Sequence, residues 1–285
     1  EQGVPARTRP AGQQRHDGGH AHHAGPLDRR ARPRERYVHR DGEQRQAQAR
    51  ALAPAADHAE HEHERDQQRG DKYLLELKKE AAMLAPLFDG DREVIQLHFG
   101  GGTPNFLSPA QIGGFVEFLQ KQFPFSTSAN RDISIEIDPR CVKPDDIAAL
   151  AAAGFNRASL GVQDFDPDVQ AAVNRIQSVE QTLAVIQACR DSGFRSVNVD
   201  LIYGLPKQSL AGFGKTLETV ISARPDRIAV YSYAHMPQLF KPQRQLDETQ
   251  LPSADVKLSL LQLAIEKLLQ AGYCYIGMDH FALPD

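Results

Sequence analysis

Between Val94 and Met278 the chain alternates two hydrophobic periods, and this alternation restricts its fold more than any other feature. Six short runs, at 94–99, 133–137, 157–162, 196–202, 227–233 and 273–278, are rich in β-branched and aromatic residues and read as strands. The segments between them carry helical spacing. Residues 72–84 place Tyr73, Leu74, Leu77 and Ala81 on one face. A helix over 145–153 starts behind Pro144 and stops at Gly154, and another over 179–192 stops at Gly193. A third, 210–223, ends before Pro225, and Ser253 opens a long helix that Gly272 closes. Strand and helix in strict turn predict parallel βα units. The strands read as apolar on both faces, as in a sheet covered by helices. This many units predicts a barrel or part-barrel, with a doubly wound open sheet as the alternative. In both, function resides at the carboxyl ends of the strands.

Those ends are polar. The runs finish in "GGGTP" (100–104), "EIDP" (136–139), "GVQDF" (161–165), "NVDLIYGLP" (198–206), "YSYAH" (231–235) and "GMDHF" (277–281). They bring Thr103, Glu136, Gln163, Asp200, His235, Asp279 and His280 to one edge, and Arg175 follows shortly after the third strand. Carboxylates accept from ribose hydroxyls or an ammonium group, and an arginine fork pairs with a carboxylate, so the set suits a zwitterionic, hydroxyl-rich ligand. Three consecutive glycines weaken any regular element, so "GGG" implies a ligand approaching bare backbone. "GGGTP" lacks both the G-x-G-x-x-G spacing and the Walker lysine, which excludes the usual dinucleotide and P-loop readings. Taken singly, His98 reads as a satisfied core residue, Asp138 as a turn-setter before Pro139, Asp164 and Asp166 as helix caps, and Tyr231 and Tyr233 as packing.

Composition changes sharply near Gly70. Residues 1–70 contain no Ile, Phe, Met, Cys or Lys, yet hold eight of the eleven histidines, too little apolar surface to offset the entropy of ordering. The expected division is therefore a disordered or aberrant tail over 1–70 and a folded body over 71–285. The histidine runs could chelate zinc or nickel weakly, but a solvated tail is the simpler reading. Arginine without lysine, with few aromatics, also fits a frameshifted segment. Cys141, Cys189 and Cys274 are widely spaced and odd in number, so neither a disulfide framework nor a metal-finger pattern follows. No apolar run reaches the roughly 18 residues that span a bilayer, and no signal-peptide pattern opens the chain. The net charge of −4 argues against a nucleic-acid binder. A cytoplasmic monomer is expected, with no membrane or nucleic-acid partner.

The strings "QLHFGGGTPNFL", "SIEIDPR", "GFNRASLGVQDFDPDVQAAVNR", "VNVDLIYGLPKQ", "YSYAHMPQLFKPQR" and "YIGMDHFALPD" together resemble the oxygen-independent coproporphyrinogen III oxidases, radical S-adenosylmethionine (SAM) enzymes of haem biosynthesis. The likeness runs from about Asp71 to Asp285 in the family's motif order. It implies an α/β fold, a partial (β/α)6 TIM-like barrel of the radical SAM type. It also implies oxidative decarboxylation of coproporphyrinogen III to protoporphyrinogen IX, with a porphyrinogen substrate, two SAM molecules and a [4Fe–4S] cluster. By motif, Gly101 and Glu136 would contact the cluster-bound SAM, and Gly102, Thr103, Gln163, Arg175, Asp200 and Ala234 would line a second SAM site. No catalytic residue or electron donor is assigned. The family holds its cluster with Cys-x3-Cys-x2-Cys just after a first strand of the type "YVHIPF". This chain has "RYVHRDGEQR" at 36–45 and no such cysteine triplet. The first strand and the family's C-terminal helical domain are thus expected to be missing or scrambled. Three readings follow: an inactive copy of the enzyme, a clusterless SAM- or tetrapyrrole-binding protein, or a non-functional product.

Overall fold

The structure, a computed structural model, describes residues 59–284, which fall within one compact unit. Of the disordered tail expected over 1–70, residues 59–70 are helical and the rest lie outside the described residues, as do the expected loss of a first strand and of a C-terminal domain. Helix α1 (Ala59–Leu84) begins twelve residues before Asp71, so the break in composition is not an element boundary. Its packed face is Gly70, Leu74, Leu77 and Ala81, while Tyr73 turns outward, contrary to the expected stripe.

Five parallel strands follow in chain order: β1 (Gln96–Phe99), β2 (Asp132–Ile137), β3 (Arg157–Gln163), β4 (Ser196–Tyr203) and β5 (Arg227–Ser232). Helices α2 (Pro109–Gln122), α3 (Pro144–Ala152), α4 (Pro167–Ala172), α5 (Val179–Asp191) and α6 (Leu210–Ala223) fill the crossovers. Right-handed crossovers between strands paired in sequential order put every helix on the same face. This single winding is the topology of a part-barrel. The doubly wound alternative requires the strand order to reverse, and it does not.

The two faces of the sheet differ, which corrects the expectation of strands apolar on both. Ile133, Ile135 and Ile137, then Ala158, Leu160 and Val162, then Val197, Val199 and Leu201 are buried. The alternate residues Ser134, Glu136, Ser159, Gly161, Gln163, Asn198 and Asp200 are only half-buried. Period-2 alternation means that one face packs on the helices and the other forms a polar inner wall. Leu217 of α6 and Leu260 of α7 (Ala254–Gln270) are fully buried in the helical layer. Capping fixes the helix starts: Ser108 makes a reciprocal box with Gln111, and Ser178, Ser209 and Ser253 each accept a backbone N–H of the first turn.

The sixth run is not another parallel neighbour of β5. Strands β6 (Cys274–Gly277) and β7 (His280–Ala282) form a hairpin, and β7 inserts antiparallel between β5 and β6. The cause is local. Met278 and Asp279 both have positive φ, 48° and 64°, the backbone of a tight two-residue hairpin turn that matches strand twist.

Candidate functional site

The loop after β1 answers why three glycines stand there. A Cβ on Gly100 would collide with Nε2 of His98 and lie 2.6 Å from Oε1 of Glu136, so any larger residue would push that pair out of its present place. Gly101 has a φ of 88°, and this conformation turns its N–H onto Oε2 of Glu136 at 3.1 Å. Asn105 then fastens the loop to the end of β2. Its Nδ2 donates to the Asp138 carbonyl at 3.0 Å, and its Oδ1 accepts from the Asp138 N–H at 2.9 Å. His98 is therefore not a satisfied core residue. It is half-exposed on the inner wall, paired with Ser134 and Glu136.

Asp138 does cap the turn at Pro139, but it does more than that. Its nearly buried carboxylate accepts from Nε and Nη2 of Arg140, at 3.0 and 2.6 Å, and from Nη1 of Arg175 at 3.2 Å. Burial pushes the Asp138 carboxyl up, but the Arg140 hydrogen bonds and the two guanidinium charges outweigh it and hold the group below its usual range. The two arginines move in opposite senses. Arg140 is raised by its bond to Asp138, whereas burial lowers the more enclosed Arg175 despite the same carboxylate. Nη2 of Arg175 also donates to the Gly161 carbonyl at 2.8 Å, while its buried Nε has no partner. That Nε is shut off from solvent, so it is the rest of the guanidinium that lines the cavity.

On β3 and β4 the polar wall closes into a triangle. Ser159 Oγ donates to Asp200 at 2.7 Å, and Asn198 Nδ2 donates to Asp200 at 2.7 Å and to Ser159 at 2.8 Å. Burial raises the Asp200 carboxyl; those two donors oppose the shift, and the Glu136 charge adds to it. The strand register slips between Gly161 and Gln163, leaving Gln163 at a φ of 67°, uncommon for a side-chain-bearing residue. The next residue explains how the bulge persists. Asp164 is fully buried and accepts from Thr216 and Gln208, so it is a structural hub rather than a simple cap, whereas Asp166 does cap α4.

These elements enclose a cavity of about 440 Å³ at the carboxyl edge of the sheet. All eight residues singled out from the sequence line it: Gly101, Gly102, Thr103, Glu136, Gln163, Arg175, Asp200 and Ala234. Asp138, read from the sequence only as a turn-setter, and Ser159, which is assigned no role there, line it too. Their signal was the two-residue spacing, since Ser159 precedes Gly161 on the same inner face. The far wall is apolar, built by Met236, Phe240, Pro242 and Leu246 from the segment after β5. Gln243 pins that segment by donating to the Ala234 carbonyl at 3.0 Å. His235, Asp279 and His280 do not reach the wall. His235 sits behind Tyr233, bonded to its hydroxyl and to Glu248 at 3.0 Å each, and His280 contacts the Met278 carbonyl and Tyr231. One end of the cavity is thus charged and rich in hydrogen bonds, and the other is apolar. A molecule with a zwitterionic head and a flat or aliphatic body matches both.

Residues 57–220, more than half of the chain, match the Radical SAM superfamily. The chain belongs to that superfamily. Within it, the chain is 51% identical over 221 residues to the oxygen-independent coproporphyrinogen III oxidase of Salmonella typhimurium. It is 49% identical to that of Escherichia coli K12 and 47% to that of Pseudomonas aeruginosa, in each case over 78% of this chain and 48% of the relative. The solved structure of the Escherichia coli coproporphyrinogen III oxidase, a radical SAM enzyme, superposes with a TM-score of 0.74 at 49% identity, covering 77% of this chain and 50% of that one. The chain spans about half the length of the curated relatives it matches.

Membership implies SAM and a [4Fe–4S] cluster. The cavity's donor set fits SAM: Glu136 and Asp200 for its amino or hydroxyl groups, and the Arg175 guanidinium for its carboxylate. The cluster does not fit the residues present. Iron–sulfur clusters take grouped thiolates. The chain's three cysteines are exposed (Cys141), fully buried (Cys189) and exposed (Cys274). Burial pushes the Cys189 thiol up to about 12, away from thiolate. Among the described residues no group of three His, Cys, Asp or Glu could hold a metal ion. Nor is any helix among them long and apolar enough to cross a membrane.

Proposed function

We propose that this chain is the SAM-holding core of an oxygen-independent coproporphyrinogen III oxidase, whose reaction is the oxidative decarboxylation of coproporphyrinogen III to protoporphyrinogen IX. In this reading Gly101 and Glu136 receive one SAM, and Gly102, Thr103, Gln163, Arg175, Asp200 and Ala234 receive a second. The porphyrinogen is the substrate, and the chain acts as a cytoplasmic monomer with no nucleic-acid or membrane partner. The observation that carries the proposal is the meeting of all eight residues at one cavity with a charged end and an apolar end.

Each residue has a physical task. Glu136, already holding the Gly101 N–H, offers its remaining lone pairs to an ammonium or a ribose hydroxyl. Asp200 does the same while Ser159 and Asn198 fix its orientation. Arg175, which lines the cavity, meets a carboxylate with its guanidinium. Because this sequence lacks the cluster's cysteine triplet, a polypeptide of this sequence alone is assigned SAM binding without turnover. The clusterless binding protein is thus the second reading, and it rests on that same absence.

Two measurements on the purified chain test the proposal. Calorimetric titration with SAM is expected to give saturable binding; a flat titration would overturn the assignment. Anaerobic reconstitution with iron and sulfide is expected to leave no stable cluster signal and to release no 5′-deoxyadenosine. A persistent cluster with SAM cleavage would refute the loss of turnover.

A further inference from the structure

His98 stands on the inner wall of β1, in register with Ser134 of β2 and one inward position from Glu136. Its Nδ1 lies 2.8 Å from Ser134 Oγ, and its Nε2 lies 3.3 Å from Glu136 Oε1. Glu136 Oε2 is held separately by the Gly101 N–H. Each carboxylate oxygen thus has one protein donor, and each keeps a free lone-pair direction. Gly100 is what allows this arrangement. A Cβ there would occupy the place of the imidazole nitrogen and of the Glu136 carboxylate, with Oε1 and Cδ at 2.6 and 2.8 Å. The first two glycines of the run therefore serve the same carboxylate, one by leaving room for its histidine and the other by donating to it.

We infer that His98 is a positioning residue for the cavity: its Nε2–H fixes the Glu136 carboxylate so that its free lone pairs face the bound ligand. The carboxylate sets the tautomer: it can only accept, so the neutral imidazole carries its proton on Nε2, and Nδ1 accepts from the Ser134 hydroxyl, whose competing acceptor is the Leu97 carbonyl at 3.3 Å. Without the imidazole, Glu136 has one fixed oxygen instead of two, and the carboxylate is free to swing away from the cavity. This inference rests on the reading of the cavity as a SAM site, and it also makes a claim about the ligand-free protein.

The test uses the full chain, SAM as the probe, and three variants. A glutamine amide nitrogen lies where Nε2 of histidine does, and an asparagine amide nitrogen lies where Nδ1 does. His98→Ala is expected to weaken SAM binding by about tenfold, the usual cost of removing a partner that orients a charged binding group. His98→Gln is expected to recover to within about threefold of the parent, and His98→Asn to bind as weakly as alanine, on the same reasoning. Rescue by asparagine equal to that by glutamine, or unchanged binding in the alanine variant, would overturn the inference. The second arm needs neither ligand nor variant. Long-range proton–nitrogen spectra of the free protein, taken above the ordinary imidazole titration range, are expected to show His98 protonated on Nε2; protonation on Nδ1 alone would refute it. If the parent chain binds no SAM but the Nε2 tautomer is present, the cavity assignment fails while the pairing with Glu136 stands.

Discussion

Asp138→Asn removes one negative charge from a pair of guanidinium groups that have little else to face. The wild-type carboxylate is 8% exposed, whereas Arg140 and Arg175 are 24% and 13% exposed. Two consequences follow. Arg140 is the more open of the two and recovers part of its loss by hydration. Arg175 recovers little, because its Nε already lacks a partner and only the Gly161 carbonyl remains. Stranding a fully buried charge costs about 3–5 kcal/mol, and discounting for the partial exposure of Arg140 leaves about 2–4 kcal/mol. For a body of this size that corresponds to a fall in melting temperature of roughly 5–15 °C. Thermal and urea unfolding followed by circular dichroism measure it. The effect also has a pH signature. The Asp138 carboxyl is lowered in the folded state, so its stabilisation is present above the unfolded value of 3.8 and is lost as pH falls through the folded value. The gap between wild type and D138N is therefore expected to be full at neutral pH and to close in acid. A variant within about 0.5 kcal/mol of wild type at neutral pH, the ordinary range for a surface change, would refute the reasoning, as would a gap independent of pH. Adding Arg175→Met to D138N should restore part of the loss, since the stranded charge is then gone.

Further outcomes follow from other parts of the molecule. Asp200→Asn should gain stability relative to wild type as pH rises: the Asp200 carboxyl is raised, so wild type is fully favoured only below the unfolded value of 3.8 and loses ground as the buried group ionises. Paired melting curves across that range check the sign. Leu217→Ala, at a fully buried position under α7, should cost about 2–5 kcal/mol in denaturant titration, and a cost below about 1 kcal/mol would mean that the α6–α7 layer is not packed as described. A thiol reagent should modify Cys274 first and Cys141 more slowly, because burial and the Asp138 charge raise the Cys141 thiol. Cys189 should react only after unfolding, and its labelling in the native state would contradict its burial.

Particular residues show what was legible in the sequence. The parallel strands announced themselves through Ile133, Ile135 and Ile137 and their counterparts on β3 and β4, because buried β-branched residues recur whatever the surroundings. The same strands concealed their polar wall. Ser159, Gly161 and Asn198 are small or uncharged and lower the average hydrophobicity little, so the strands passed as apolar on both faces. The β6–β7 hairpin was not legible because Met278-Asp279 is not a usual residue pair for a turn with two positive φ angles; the turn is imposed by pairing of β7 with β5. The eight cavity residues were found by motif resemblance supported by strand-end position. His98 was missed because a single histidine in a strand carries no local signal. Its role appears only when β1 and β2 pair and bring it beside Ser134 and Glu136. Asp138 reads as a turn-setter and Asp164 as a cap for a related reason: their partners, Arg175 and Thr216, stand 37 and 52 residues away.

The proposed SAM site is the carboxyl edge of the sheet. An experimental structure of the chain grown with SAM tests this most directly. The expected result is a ligand between Gly101 and Asp200, with an acceptor group within hydrogen-bond reach of the Arg175 guanidinium. A SAM molecule bound elsewhere on the chain, with the Glu136–Asp200 cavity left to solvent, would contradict it.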